Sequence, residues 1–538
     1  MRMLFSLDKE AGGLWGDTHH PRISHTGFKA DGKWLYIQDK ANTRIAKIDL
    51  RTFRTVLIKK APNIQAWHGI ALVPDRKTGN TKYVCANGEF EAPIPPKPGL
   101  LGGYTTKPIP EVGAKVPEEW RSAVVCLDAD TLDPVFQVIS GYGNFDIMDW
   151  SPSGRWLLSS AYNTERGSNI DEMIKAPEDH VQFLNMEKVE ELLKAKRYTL
   201  VNGVPTLDVK TPGLAYLLPT ARNPHGIHCQ RLDPRVHGGK ALGKDTVCIS
   251  AGKIVPRVYI YDISGDRPKL MATPWVGLGP LHVQYDGRGN FYVSLFVDSQ
   301  IGAYNIDKAI KFPNEPEKYT VDKIDIHYNV GHLSTVMNYS TPKGDWLLSQ
   351  NKLTKGLPGF LPTGPTEPEV QELIDIRGIT ADGKGKMRLI YQFPTPPEPH
   401  ESDFIEADKL APMVWSKYTK PYDPDIKFVG PGESRVERTG PHSVTVYLTT
   451  IRSRYGLDEV RVKQGDTVTL YLSNVERVRD MTHGFALQEH GIHFAIDPGD
   501  TKKVTFAADK PGVYWFYCTW FCSALHMEMR AKLVVEPA

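Results

Sequence analysis

The string YWFYCTWFCSALHMEMR near the C-terminus places Cys518, Cys522, His526 and Met529 on one short connection between two apolar runs. Thiolate, imidazole and thioether are soft ligands that suit copper, and a single Cys with His and a weak Met would describe a mononuclear blue-copper site. The second cysteine changes that chemistry. Two thiolates on one loop can bridge two copper ions, which spreads a transferred electron over both metals and reduces the geometry change on transfer. A further imidazole has to come from another loop, and His483 in RDMTHGFAL stands where a strand would deliver it. The carbonyl of Trp520 could serve as a weak ligand. A pair of buried thiols and a zinc site are the alternatives. The first leaves His526 and Met529 unexplained, and zinc does not usually recruit methionine.

A second set of candidate ligands is spread along the chain. Of 17 histidines, several stand where a loop leads into a strand: His19 and His20 in GDTHHPRIS, His68 in IQAWHGIAL, His225 in ARNPHGIHC, His282 in GLGPLHVQY, His332 in YNVGHLSTV and His400 in PPEPHESDF. One mononuclear site cannot use so many imidazoles. The shortage of carboxylates in these loops speaks against calcium, magnesium or a carboxylate-bridged iron pair, and a polynuclear copper cluster fits. His25, His228, His327, His442, His490 and His493 carry no such assignment and read as surface or hydrogen-bonding residues.

The elements that must position these groups are strands. The chain has 46 Gly, 41 Pro and 10% aromatic residues, with little helical periodicity outside Met186 to Ala195, where a helix is expected. A unit recurs: a Gly-containing polar turn, an aromatic or β-branched run, then often a second strand ending in Ile-Asp or Leu-Asp. DGKWLYIQDK with RIAKIDL, SPSGRWLLSSA, DGRGNFYVSLF with IGAYNID, and KGDWLLSQNK are examples. Such a unit resembles a β-propeller blade, whose innermost strands line a central axis where side chains from different blades converge. A propeller is therefore expected over residues 1–425, a Pro-, Gly- and Lys-rich linker over 426–440, and a small antiparallel sandwich over 441–538, where SVTVYLTTI, EVRVKQGDTVTLYLSN and KKVTFAADKPGVYWFYC alternate apolar and polar residues.

With 65 Lys+Arg against 63 Asp+Glu the net charge is only +2, which gives no basis for nucleic-acid or anionic-membrane binding. A small substrate or a protein partner fits better. No window approaches the roughly 20 apolar residues of a membrane span, and MRMLFSLDKE lacks an apolar run long enough for a secretory signal. Cys85, Cys126, Cys229 and Cys248 lie singly in apolar runs and read as small buried hydrophobes.

The Cys518 to Met529 stretch resembles the binuclear CuA centre of nitrous-oxide reductase and of subunit II of haem-copper oxidases, with Trp520 where that subunit usually carries Glu. The histidine strings, together with DKANTR (Asp39 to Arg44) and LFVDSQ (Leu295 to Gln300), are similar to nitrous-oxide reductase over nearly the whole chain. The resemblance implies an all-β chain, a seven-bladed propeller followed by a C-terminal cupredoxin sandwich. It implies a sulfide-bridged tetracopper centre, CuZ, on His19, His20, His68, His225, His282, His332 and His400, and CuA on His483, Cys518, Trp520, Cys522, His526 and Met529. It implies a calcium site at Tyr162, Glu165, Met173, Asp179 and Asn223, and reduction of N2O to N2 and water in denitrification. It further implies a cytochrome c or small cupredoxin as electron donor, a head-to-tail homodimer and a periplasmic location. The chain departs from the family pattern at Ala303, where a lysine is usual near the cluster, and at Tyr339, where an acidic residue is usual. These two departures leave open a related copper oxidoreductase acting on another small molecule, and a CuA electron carrier whose propeller is inactive.

Overall fold

The computed structural model describes residues 18–51, 54–90, 92–93, 108–109, 114–115, 120–140, 144–162, 179–336, 342–353, 369–395, 400–406, 409–410, 426–477 and 481–538. The chain divides into two compact units, Met1–Ile405 and Glu406–Ala538. In the first, four-stranded antiparallel sheets succeed one another. One takes Thr18–Thr26, Lys29–Asp39, Arg44–Asp49 and Arg54–Lys60 in chain order, and another takes Pro280–Tyr285, Asn290–Leu295, Gln300–Asn305 and Thr320–Asp325 in the same way. Sheets opening with Asn144–Trp150, Ile227–Cys229 and Tyr328–Thr335 follow the four-stranded plan. The sheet opening with Gln65–Pro74 is larger, because Val204–Asp208 adds to it in parallel beside Pro134–Ser140. The propeller expectation holds, and the described residues form six such blade sheets where the resemblance implies seven.

The opening strand of each sheet is the one that matters for the site, and in five of the six described sheets its register is irregular at a recurring place. Thr18 opposes Asp39 while Pro21 opposes Ile37, so three steps on the first strand match two on the second. The same slip lies between Trp67 and Ile70, Phe145 and Met148, Pro280 and Val283, and Val330 and Leu333. Such a bulge leaves a residue unpaired and re-aims its side chain. The residues inside the five slips are His19-His20, His68-Gly69, Asp146-Ile147, Leu281-His282 and Gly331-His332. Adjacent opening strands also approach closely. A Cβ on Gly69 would lie 2.6 Å from the Asp146 carbonyl oxygen and the Met148 nitrogen, and one on Gly226 would lie 2.9 Å from the Leu281 carbonyl oxygen. The Gly that follows His68 and His225 is thus a packing requirement between blades.

Each blade is held by apolar side chains on both faces, for example Val283, Phe291, Val293, Leu295 and Tyr304. The expected helix spans Met186–Lys194. Asn185 caps it by accepting from the amides of Glu187 and Lys188, and it buries Met186, Val189 and Leu192. The cysteine reading needs correction. Cys85, Cys126, Cys229 and Cys248 are buried, but they form disulfides, Cys85–Cys126 and Cys229–Cys248. Each pair sits directly opposite across two neighbouring strands. Separations of 41 and 19 residues conceal that register in the sequence.

The second unit is a sandwich of two sheets. One orders Arg435–Gly440, Ser443–Ile451, Asp466–Asn474 and Thr501–Ala508, and the other orders Glu459–Lys463, Arg530–Glu536, Gly512–Tyr517, His483–Leu487 and Ile492–Ile496. Alternation in SVTVYL and DTVTLYL sends Val444, Val446, Leu448, Val468, Leu470 and Leu472 into one core with Phe485, Phe516 and Leu533. The expected linker over 426–440 is in part sandwich. Val429 packs with Tyr447 and Tyr471, and Arg435–Gly440 pairs with Ser443–Ile451. An exposed edge strand rich in charge reads as linker because it buries almost nothing. Among the described residues no helix is long and apolar enough to cross a membrane.

The disulfide assignment predicts a thiol count. The denatured, metal-free chain should titrate two thiols without reductant, from Cys518 and Cys522, and all six after reduction. Finding four or more before reduction would remove at least one of the bonds.

Candidate metal centres

The bulged strands bring imidazoles from separate blades into one buried group. Ring centroids of His332 and His400 are 4.2 Å apart, those of His282 and His332 4.6 Å, and those of His225 and His332 5.0 Å. His20 lies 5.0 Å from both His68 and His400. His19 belongs to the strand Thr18–Thr26, and its side chain lies outside the described residues.

His332 is the centre of the group. It is wholly buried, and neither ring nitrogen has a hydrogen-bond partner. Burial, followed by repulsion from His400, His282, His225 and His20, holds its pKa well below the ordinary value, so the ring is neutral and keeps a lone pair. A buried polar group without a partner costs on the order of 1–3 kcal/mol or more, and a metal ion removes that cost for several rings at once. The donor set therefore fits a copper cluster. His20 Nδ1 lies 2.8 Å from the carbonyl oxygen of His68. Donation there leaves His20 Nε2 with the lone pair. One ligand-forming combination is His20, His332 and His400, whose donor atoms lie within 4.8 Å of one another.

Two buried carboxylates stand beside these rings, which corrects the expectation of few acidic groups. Asp146 occupies a bulge position equivalent to that of His68, and its Oδ1 lies 2.7 Å from His68 Nδ1 while Oδ2 contacts His225 Nδ1. Burial pushes the Asp146 carboxyl up, but attraction to His225 and His68 outweighs it and holds the group well below the usual range. A carboxylate behind an imidazole fixes its tautomer and raises its basicity toward metal. Glu401, next to His400, receives the Arg22 guanidinium at 2.6 Å, both side chains being buried. Burial pushes Glu401 up to about 7 against the pull of Arg22. Neither acid was legible as part of the site. Asp146 reads as an ordinary polar strand residue, although its place in the third sheet matches that of His68 in the second.

The sandwich unit builds its centre on one loop. Strand Gly512–Tyr517 ends just before Cys518, and strand Arg530–Glu536 begins just after Met529. His483 opens the neighbouring strand His483–Leu487. Donor atoms of His483, Cys518 and Cys522 lie within 4.8 Å of one another. Cys522 Sγ is 3.6 Å from Met529 Sδ and 3.9 Å from His526 Nδ1, and the Trp520 carbonyl oxygen is 3.2 Å from Cys518 Sγ. All six expected ligands thus converge. His483 Nδ1 is buried without a hydrogen-bond partner, while Nε2 faces Glu476 at 3.3 Å. Burial pushes the Cys518 thiol up, and Cys522 adds to this against the Gly484 amide. With both sulfurs deprotonated, such a pair would need a cation between them, and the soft donors around it suit copper.

Of the expected calcium ligands, Asp179 is buried, and its carboxylate accepts the Asn223 amide. The side chain of Tyr162 and residues Glu165 and Met173 lie outside the described residues, as does Tyr339. Ala303 packs in an apolar core with Tyr292, Ile301 and Ile326.

Replacement of Asp146 by Ala should weaken copper retention in the propeller by roughly 10–100-fold, while the sandwich centre keeps its metal. Metal analysis after dialysis against a graded copper chelator checks this, and unchanged retention would reject the supporting role.

Comparison with known proteins agrees with both units. The nitrous oxide reductase propeller repeat model matches residues 323–400, and the cupredoxin-like domain model matches residues 437–535. The nitrous-oxide reductase of Stutzerimonas stutzeri is 34% identical over 98% of this chain and 81% of its own length. That of Pseudomonas fluorescens is 36% identical over 97% of this chain and 80% of its own. Cytochrome c oxidase subunit 2 of Thermus thermophilus is 28% identical over 19% of this chain and 72% of its own. With this coverage, and with the propeller and sandwich both in place, the chain belongs to the nitrous-oxide reductase family.

Proposed function

We propose that the chain reduces N2O to N2 and water, consuming two electrons and two protons, with electrons entering at the sandwich unit and used at the propeller axis. The observation that carries this reading is the buried His332 ring, with neither nitrogen hydrogen-bonded, surrounded by imidazoles from other blades. Copper bound at the two centres supplies the redox equivalents and the Lewis acidity for N–O cleavage. The residues supply everything else. His19, His20, His68, His225, His282, His332 and His400 form the cluster pocket, and Asp146 orients two of them. Burial of the pocket excludes bulk water and favours a small neutral substrate over a charged one.

Cys518, Cys522, His483, His526, Met529 and the Trp520 carbonyl hold the electron-entry copper pair. Around that loop Phe521 and Met527 are 80% and 78% exposed, an apolar surface suited to transient docking of an electron carrier such as a cytochrome c or small cupredoxin, or of a second copy in a head-to-tail dimer. Calcium at Tyr162, Glu165, Met173, Asp179 and Asn223 belongs to the same reading. The disulfides Cys85–Cys126 and Cys229–Cys248 support a periplasmic location, since such bonds persist in oxidising compartments.

The test is copper and acid-labile sulfide per chain, on protein loaded with copper and purified without oxygen, followed by an N2O-reduction assay with a reduced one-electron donor. About six copper ions with sulfide, and N2O turnover, are expected for a binuclear plus a tetranuclear site. About two copper ions without sulfide would leave an electron carrier, and the reductase reading would fail.

A further inference from the structure

The strand Gly512–Tyr517, which delivers Cys518, has an outer face that core packing does not explain. Tyr514 and Phe516 turn into the sandwich core. The alternate positions, Val513, Trp515 and Tyr517, point outward and are 58%, 47% and 37% exposed. The solvated face of a sheet ordinarily carries polar residues, so an unbroken stripe of apolar and aromatic side chains marks a surface that another molecule covers.

The neighbouring strand Arg530–Glu536 frames this stripe with cations. Tyr517 opposes Arg530, Trp515 opposes Lys532 and Val513 opposes Val534. The Arg530 guanidinium carbon and Lys532 Nζ lie 5.1 and 5.3 Å from the centre of the Trp515 ring. Among the described residues neither cation is ion-paired. Glu459 stands opposite Lys532, but Arg461 takes it, and Arg461 is also held by Glu536. The uncompensated charges beside an exposed indole attract a surface of opposite sign.

The end of the stripe nearest the copper loop is where both strands run into candidate ligands. Tyr517 precedes Cys518 and Arg530 follows Met529, and the Cys518 amide donates to the Met529 carbonyl oxygen at 2.9 Å. A molecule seated on Tyr517 and Arg530 is therefore one residue from a sulfur ligand along each strand. The tip of the loop is different. Trp520, Phe521, Leu525 and Met527 are exposed there, and the stretch from Cys518 to Met529 contains no lysine or arginine. An uncharged apolar surface suits a contact that persists, whereas a carrier that arrives, delivers one electron and leaves needs electrostatic steering and a polar rim.

We propose that the outer face formed by Val513, Trp515 and Tyr517, with Arg530 and Lys532, is the docking site of the electron carrier, and that this carrier bears an acidic rim around its redox centre. The proposal rests on the reading of the Cys518 to Met529 loop as an electron-entry copper pair, and it leaves the uncharged tip to the second copy of the chain. In the step itself the metal of the reduced carrier loses one electron and the pair gains it, with no bond made or broken and no proton moved.

The experiment follows reduction of the copper pair in the full, copper-loaded chain by stopped-flow absorbance. The probes are a reduced acidic single-copper protein of the plastocyanin class, a reduced c-type cytochrome rimmed by lysines, and hexaammineruthenium(II), a small donor that needs no docking surface. At low salt the acidic carrier should react faster than the basic one, and added salt should slow it at least about ten-fold. The double variant Arg530→Glu, Lys532→Glu should lose that salt dependence and react with the acidic carrier at least about ten-fold more slowly, while reduction by the ruthenium complex stays within a few-fold of the parent. Should the double variant fail to fold, Lys532→Glu alone, three positions from Met529, must change the rate in the same direction. A zinc-substituted form of the acidic carrier, which transfers no electron, should bind the copper-loaded chain with the same salt dependence and bind Trp515→Ala more weakly. A faster basic carrier, or acidic-carrier rates that ignore the charge reversal and fall instead in Phe521→Ser, would overturn the proposal. A copper pair that the ruthenium complex does not reduce would sink the electron-entry reading, and the proposal with it.

Discussion

An imidazole can be buried cheaply only if both ring nitrogens are engaged, and at the centre of the propeller axis the protein engages neither nitrogen of His332. His332 has no hydrogen-bond partner on either nitrogen, and its nearest aromatic neighbours, His400 and His282, are themselves imidazoles. In a folded chain such an arrangement persists because the cost is borne by scaffolding that is complete without it. The core beneath the Pro280–Tyr285 sheet closes on Val283, Phe291 and Tyr304, and the sandwich has its own core. Metal binding then supplies the missing partners, so loading the site and stabilising the axis are the same event thermodynamically.

The two centres solve the positioning problem in opposite ways. At the sandwich, four candidate ligand side chains and one carbonyl share the connection from Cys518 to Met529, and only His483 arrives from elsewhere. The loop is anchored at both ends by one strand pair, Gly512–Tyr517 with Arg530–Glu536. At the propeller the candidate histidines come from several blades, with only His19 and His20 sharing a strand, so precision depends on the packing of whole sheets. The repeated register slip in five opening strands is the device that makes this possible. It turns a side chain out of the plane of alternation and toward the axis, and the glycines after His68 and His225 let the neighbouring strand come close enough to meet it.

What the sequence makes legible follows from that difference. The Cys518 to Met529 ligands are local, and their types and spacing suffice. The propeller histidines are legible because each stands where a loop enters a strand and because the recurring turn-and-strand unit implies convergence. Asp146 is hidden for want of a matching residue type: it fills the bulge place that histidine fills in other blades, yet reads as an ordinary acidic residue. Arg22 and Glu401 are 379 residues apart, and nothing local hints that they pair. The disulfides fail for the same reason, since opposition of Cys85 with Cys126 depends on strand register. Arg435–Gly440 fails differently, because an edge strand has too little buried surface to leave a hydrophobic pattern.

Charge around the axis is arranged as carefully as shape. Three carboxylates close to the imidazoles carry their own cations: Glu401 with Arg22 at 2.6 Å, Asp149 with Arg231 at 3.2 Å, and Glu89 with Lys40 at 2.5 Å. Asp146 is different, for its contacts at the site are with His68 and His225. These cancelled ion pairs leave the pocket with little net negative charge with which to stabilise a highly charged metal. In a medium of low dielectric that would favour the less positive, reduced state of copper bound there. The one carboxylate left to its imidazoles would then set how far that preference goes.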